Sequence, residues 1–271
     1  GAVSRTALSD QPEVEIQDAN GNRALTDNTT IVTLAAEAVD NSGKINTTSG
    51  QTLKATNGRA AFTAFAIGAK AASYRLAIST ATNSNGFTIT PTTTKSGNFT
   101  ITNGAVASIR VATSADGAKA GKAFTTQPAI ELLDADGSVV LNSTAKVVIS
   151  ATGYSMVGTV EKSVQNGVAS FAGLGAGIAG VEGTVALKYS LYSGSTDTGI
   201  SISENVALGN GDAFKLYVPV AGQPQSSVVA GANLSSVNVL VQDEWGNLVD
   251  DQTVSITPSL VVASTGAAVV G

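Results

Sequence analysis

One phrase recurs along the chain, and its spacing limits the fold more than any other feature. Gln11-Pro12-Glu13-Val14-Glu15-Ile16-Gln17-Asp18-Ala19-Asn20-Gly21-Asn22 returns as Gln127-Pro128-Ala129-Ile130-Glu131-Leu132-Leu133-Asp134-Ala135-Asp136-Gly137-Ser138. A third version reads Val237-Asn238-Val239-Leu240-Val241-Gln242-Asp243-Glu244-Trp245-Gly246-Asn247. Its aspartates stand 116 and 109 residues apart. Asn57-Gly58-Arg59-Ala60-Ala61-Phe62 matches Asn166-Gly167-Val168-Ala169-Ser170-Phe171 at an offset of 109, and Asn103-Gly104 matches Asn210-Gly211 at 107. Independent landmarks at one spacing mean that a single structural unit is repeated.

Within each repeat the apolar residues alternate. Val14 and Ile16 are separated by Glu15, and Val32/Leu34, Val147/Ile149 and Val254/Ile256 also stand two apart. That period belongs to strands with one face toward a core and the other toward water. Asn-Gly, Asp-Gly and Trp-Gly pairs punctuate the runs, and Asn-Gly suits a tight hairpin. Val, Thr, Ala, Ser and Gly dominate, and aromatics are only 5% of the chain. β-Branched residues fit a pleated surface, and small ones let sheets approach closely. The expectation is all-β: tandem immunoglobulin-like β-sandwich domains in a rod-like array. The landmarks place them at 1–103, 104–210 and 211–271. By register with the second repeat, the first lacks most of its opening strand. The third stops before any counterpart of the Gly167–Phe171 strand. The chain therefore reads as an excerpt of a longer repeat protein, with strand donation from a neighbouring subunit as the competing idea.

The phrases around Val14–Asn22, Asn57–Phe62 and Asn166–Phe171 resemble the bacterial immunoglobulin-like (invasin-type) tandem repeats of surface-layer proteins, adhesins and giant surface proteins. The resemblance covers the second repeat, most of the first and the start of the third. It implies an extracellular, cell-surface protein of stalk-like or lattice-forming character, with Asp-x-x-Gly-Asn as a hairpin turn. The second repeat departs from the pattern, with Asp136 and Ser138 where the first has Asn20 and Asn22.

Composition narrows the function classes. The chain has no His and no Cys. Ser-His and Cys-His nucleophile pairs, imidazole and thiolate metal sites, and disulfides are thereby excluded. A net charge of −5 with scattered Lys and Arg offers no footprint for nucleic acid. No apolar run reaches the ~18 residues of a membrane span. Carboxylates fall in turns or on outward strand faces, so the chain reads as not an enzyme.

The acidic turns are the candidate sites. Asp18, Asn20 and Asn22, and likewise Asp134 and Asp136, set oxygens at alternate positions around a Gly, like the start of a calcium loop. No Glu follows at the distance a full loop needs, and Asx residues also stabilise plain turns, which is the preferred reading. Trp245, the only tryptophan, is expected to cover the end of its own sandwich rather than to anchor a sugar. Phe62, Phe171, Tyr74, Tyr189 and Tyr192 are expected in cores. Asn28, Asn46, Asn98, Asn142 and Asn233 begin glycosylation sequons that chance largely explains. Three roles remain: a building block of a surface layer, sheath or filament, partnered by copies of itself; an adhesin stalk; and a carbohydrate- or ligand-binding module facing cell-surface polysaccharide. Low aromatic content favours the first, because it leaves little material for a binding hot spot.

Overall fold

The computed structural model describes residues 1–39, 51–80, 89 and 95–259. Those residues are all-β apart from one short 3-10 turn at Val220–Gly222. The first repeat contributes β1 (Ala2–Val3), β2 (Glu13–Glu15), β3 (Ile31–Ala38), β4 (Gln51–Lys54), β5 (Arg59–Ala61), β6 (Ala72–Thr80) and β7 (Phe99–Thr102). The second contributes β8 (Val106–Thr113), β9 (Lys122–Ala123), β10 (Ala129–Asp134), β11 (Lys146–Ala151), β12 (Ser155–Val157), β13 (Glu161–Ser163), β14 (Val168–Ser170), β15 (Gly177–Ala179), β16 (Gly183–Ser193) and β17 (Thr196–Leu208). The third contributes β18 (Lys215–Tyr217) and β19 (Leu240–Gln242).

Strand order repeats where the sequence does. In the second repeat the sheet β13-β11-β16-β17 faces the sheet β14-β10-β8, with β12-β15-β9 at one side. The first repeat has the counterpart β1-β7-β6-β3-β4 facing β2-β5. All pairings are antiparallel except β1 with β7. Alternation delivers the inward residues of both sheets to one core per repeat. Ile130 and Leu132 of β10 meet Val147 and Ile149 of β11, with Phe171, Leu187 and Tyr189. Ile16, Val32, Leu34, Phe62, Tyr74 and Ile101 form the first core. Phe62 and Phe171 are buried at equivalent places, as are Tyr74 and Tyr189, whereas Tyr192 is half-buried with Lys146 over its ring.

The shared motifs have shared physical jobs. Asn57 and Asn166 take positive φ, 51° and 49°, ahead of a glycine. The flanking residues then bond reciprocally, Thr56 with Arg59 and Gln165 with Val168, closing two-residue hairpins. The Gln-Pro pair is a loop clamp. Gln11 Oε1 accepts the Phe65 amide at 2.7 Å and Gln127 Oε1 the Ala176 amide at 3.0 Å. Pro12 and Pro128 carbonyls accept the amides of Phe62 and Phe171.

One expected strand is absent from the described residues. Val254 and Ile256 lie in non-strand backbone and are 40% and 39% exposed. Their counterparts in β11 are held between β13 and β16.

A fragment of residues 104–210 is expected to melt as a single cooperative unit, and Phe171→Ala to cost it about 3–5 kcal/mol. A 211–271 fragment is expected to lack a β-sheet signal by circular dichroism. Broad, non-cooperative melting of 104–210 would contradict the repeat boundaries.

Candidate functional site

The recurring Asp-x-x-Gly phrase builds the same turn three times. Asp18, Asp134 and Asp243 each donate their amide to the carbonyl four residues on, at 2.8, 2.9 and 3.0 Å. Each also accepts from the glycine three residues on. That glycine has φ of +84°, +80° or +91°, a conformation costly for other residues. The aspartate Oδ1 then takes two inward amides: Asn20 and Asn22, Asp136 and Ser138, or Trp245 and Asn247, all at 2.8–3.0 Å.

Oδ2 reaches beyond the turn. In the second repeat it accepts the Gly104 amide at 2.9 Å, and in the third the Gly211 amide at 2.8 Å. Those glycines follow Asn103 and Asn210, where one repeat hands over to the next. Each carboxylate therefore pins the crossover to the turn. Burial pushes Asp243 toward neutrality, but donors from Gly211, Asn247 and Trp245 outweigh it, and its pKa ends below the ordinary carboxylate value.

The rest of the turn faces the preceding repeat. The residue two after the aspartate lies over Arg5 or Gly121, which occupy equivalent places. Both have positive φ, and their amides bond Ile67 and Ile178 carbonyls respectively. Against Arg5 stands Asp136, which accepts from Nη2 at 2.8 Å, from Nε at 3.0 Å and from Ser4 Oγ at 2.5 Å. The Arg5 and Ser4 donors hold the Asp136 carboxyl below its usual range, although burial opposes them. Against Gly121 stands the six-membered ring of Trp245, so close that a Cβ there would sit 2.2 Å from Cη2. The residue four after the aspartate docks on one amide: Ser138 Oγ accepts from Ala71 at 2.8 Å, and Asn247 Oδ1 from Glu182 at 2.8 Å. Asn247 Nδ2 also donates to the Gly180 carbonyl at 3.0 Å. Lys119–Asp251 and Lys122–Asp212 ion pairs flank this second junction. Apart from Thr30 and Ser190, the buried polar residues of the described chain are Ser4, Asp134, Asp136, Asn210, Asp243 and Asn247, all at the two junctions.

No protein-family model and no curated protein sequence matches this chain. Among solved structures it is similar to Yersinia pseudotuberculosis InvD over 91% of its length and 69% of that chain, at 15% identity and a TM-score of 0.34. It is also similar to fibronectin(III)-like modules of Clostridium thermocellum CbhA, over 77% of its length and 90% of theirs, at 12% identity and a TM-score of 0.22. Parabacteroides merdae β-glucuronidase matches over 66% of this chain, which spans only 21% of that enzyme, at 11% identity and a TM-score of 0.28. The likeness is one of fold alone.

The geometry changes how the sequence candidates are read. Asp18, Asn20 and Asn22 stay together in one exposed turn, and Asp134 and Asp136 in one buried turn. Asp18 Oδ2 faces Asn22 Nδ2, and both Asp136 oxygens face Arg5 and Ser4. A calcium ion asks for about six oxygens. Every carboxylate oxygen here already receives an N–H or O–H, which is the bonding of a plain Asx turn. Among the described residues no cluster of three acidic side chains could hold a metal. Trp245 covers the second repeat, not the end of its own, because the turn that carries it points back across the junction. Asn28, Asn98, Asn142 and Asn233 are exposed, and Asn46 lies outside the described residues. Asp243 and Asn247 were visible in the third copy of the phrase. Arg5 and Gly121 were not, since Ser4-Arg5-Thr6 and Ala120-Gly121-Lys122 share no residue.

Trp245 reports on its own junction. Gly121→Ala is expected to add about 1–2 kcal/mol of backbone strain and to expel the indole. Its fluorescence should shift red and become more quenchable, with the β-sheet signal unchanged. Excess chelator should leave the melting temperature of the full chain unaltered, whereas a fall of several degrees would restore calcium as a ligand.

Proposed function

We propose that this chain is a non-enzymatic extracellular protein that serves as a building block of a cell-surface assembly, whether surface layer, sheath or filament. One observation carries the reading: the same turn clips the second repeat to the first and the third to the second. Consecutive sandwiches joined through buried, fully partnered contacts transmit force and hold orientation, which independent beads on a flexible linker do not. Partners are copies of the same chain meeting along the sheet faces, with cell-surface polysaccharide as a further ligand class. Abundant Ala, Thr, Ser and Val suits broad and shallow contacts of that kind.

A stalk that displays a distal binding domain uses the same coupling. The direct passage from β7 to β8, through residues 103–105, supports it equally. The carbohydrate-binding reading loses its main residue, because Trp245 is engaged with Gly121 and Gly211. Negative-stain microscopy of the purified protein separates the first two. Ordered sheets or fibres with repeated lateral contacts are expected for a building block. Thin, isolated rods at every concentration would turn the reading to a stalk. Glycan binding abolished by Trp245→Ala would bring back the third.

A further inference from the structure

The two crossovers carry a chemistry that the fold holds in check. Asn103-Gly104 and Asn210-Gly211 are Asn-Gly pairs, the sequence in which an asparagine side chain loses ammonia most readily. The glycine amide nitrogen gives up its proton and attacks Cγ of the preceding asparagine. The Cγ–Nδ2 bond breaks, ammonia leaves with that proton, and a succinimide ring remains. Water then opens the ring at either carbonyl, giving aspartate or isoaspartate. Glycine favours the attack because it has no Cβ to obstruct the nitrogen and its backbone turns freely. The reaction needs a glycine amide free to lose its proton, an asparagine side chain free to swing onto it, and water.

The docked junctions withhold these conditions. The Gly104 amide is committed to Asp134 Oδ2 at 2.9 Å and the Gly211 amide to Asp243 Oδ2 at 2.8 Å. A carboxylate at that distance opposes formation of the negative nitrogen that attacks, as any like charge opposes an ionisation beside it. At the second crossover the asparagine is held too. Asn210 Nδ2 donates to Asp251 Oδ1 at 2.9 Å and to the Gly211 carbonyl at 3.2 Å. Asn210 and Gly211 are both buried. At the first crossover Asn103 is half-buried, and its Nδ2 bonds the Gly104 carbonyl at 3.3 Å.

We infer that Asn103 and Asn210 are latent modification sites, inert while their junctions are docked and converted to aspartate or isoaspartate when a junction opens. The conversion holds the junction open afterwards. At Asn210 it exchanges a donor for a carboxylate that faces Asp251 Oδ1 beside the buried Asp243, and like charges so placed repel. At Asn103 it removes the donor to the Gly104 carbonyl. Isoaspartate also routes the main chain through the former side chain, which lengthens the crossover by one carbon and carries the glycine amide off its aspartate. A brief, reversible opening is thereby recorded in the covalent chain. The inference rests on the junctions alone, so it and the surface-assembly reading can each fail while the other stands.

The test incubates the full chain in mildly alkaline water enriched in heavy oxygen, which marks each ring opening, and maps the products by peptide mass spectrometry. Synthetic peptides of residues 99–108 and 206–215 supply the unprotected rates. In the intact chain both asparagines are expected to react at least tenfold more slowly than in the peptides, because the open population limits the rate. Asp243→Ala should bring Asn210 close to its peptide's rate and leave Asn103 slow, and Asp134→Ala should do the reverse. The asparagine that stays slow reports that the rest of the chain is folded. Trp245→Ala, which loosens the second junction but keeps Asp243, should accelerate Asn210 alone and by a smaller factor. Asn210→Asp should reproduce the red-shifted Trp245 emission of the converted chain. The proposal is overturned if Asn210 in the intact chain keeps pace with its peptide. It is overturned equally if neither the aspartate variants nor Trp245→Ala accelerates its own crossover selectively, or if the converted chain keeps the emission of a buried Trp245.

Discussion

The structure depends on an aspartate carboxylate that serves two masters. Its Oδ1 closes a turn by taking two amides, and its Oδ2 takes the amide of the glycine at the crossover. A buried carboxylate is costly unless its oxygens are hydrogen-bonded, and charge-assisted bonds of this sort contribute about 1.5–3 kcal/mol each. Asp243 satisfies that condition with four donors within 3.0 Å. The turn and the crossover are thus one cooperative object. Neither can shift without stripping donors from the same buried charge.

The two junctions then show how one architecture tolerates different chemistry. A bidentate guanidinium–carboxylate pair, Arg5 with Asp136, occupies the place that Gly121 and Trp245 fill by contact. Each solution suits its own neighbour. An aspartate over Gly121 would bury a carboxylate with no cation opposite, and a side chain at Gly121 would collide with the indole. Neighbouring repeats are matched in pairs, although the backbone hydrogen bonds around them are the same.

Much of this was legible in the sequence. The period, the alternation and the paired phenylalanines follow from repetition, because a residue kept in register among polar neighbours has a core to fill. The Asn-Gly hairpins were legible for a related reason: few residues tolerate positive φ at two successive positions. The job of the acidic turn was harder to read. Asp18, Asp134 and Asp243 look alike along the chain, yet only the last two are buried. What separates them is the crossover glycine and the surface of the previous repeat, which are brought in by tertiary folding. Trp245 misled for the same reason. A lone aromatic in a turn says nothing about which way the turn points.

Covalent connection explains why the junctions manage with few contacts. Between the last strand of the first repeat and the first strand of the second lie only residues 103–105. Tethering of that length keeps the two surfaces at a high effective concentration, so modest contacts are enough to hold them together. Exposed ion pairs such as Lys119–Asp251 and Lys122–Asp212 would add little between free proteins, since each is screened and loses side-chain entropy. Beside a buried aspartate and a packed indole they act as a polar rim instead, fixing rotation about a contact that the chain has already brought together. With so few aromatic residues, the molecule places orientation at the joints and leaves the broad sheet faces small-chained and shallow.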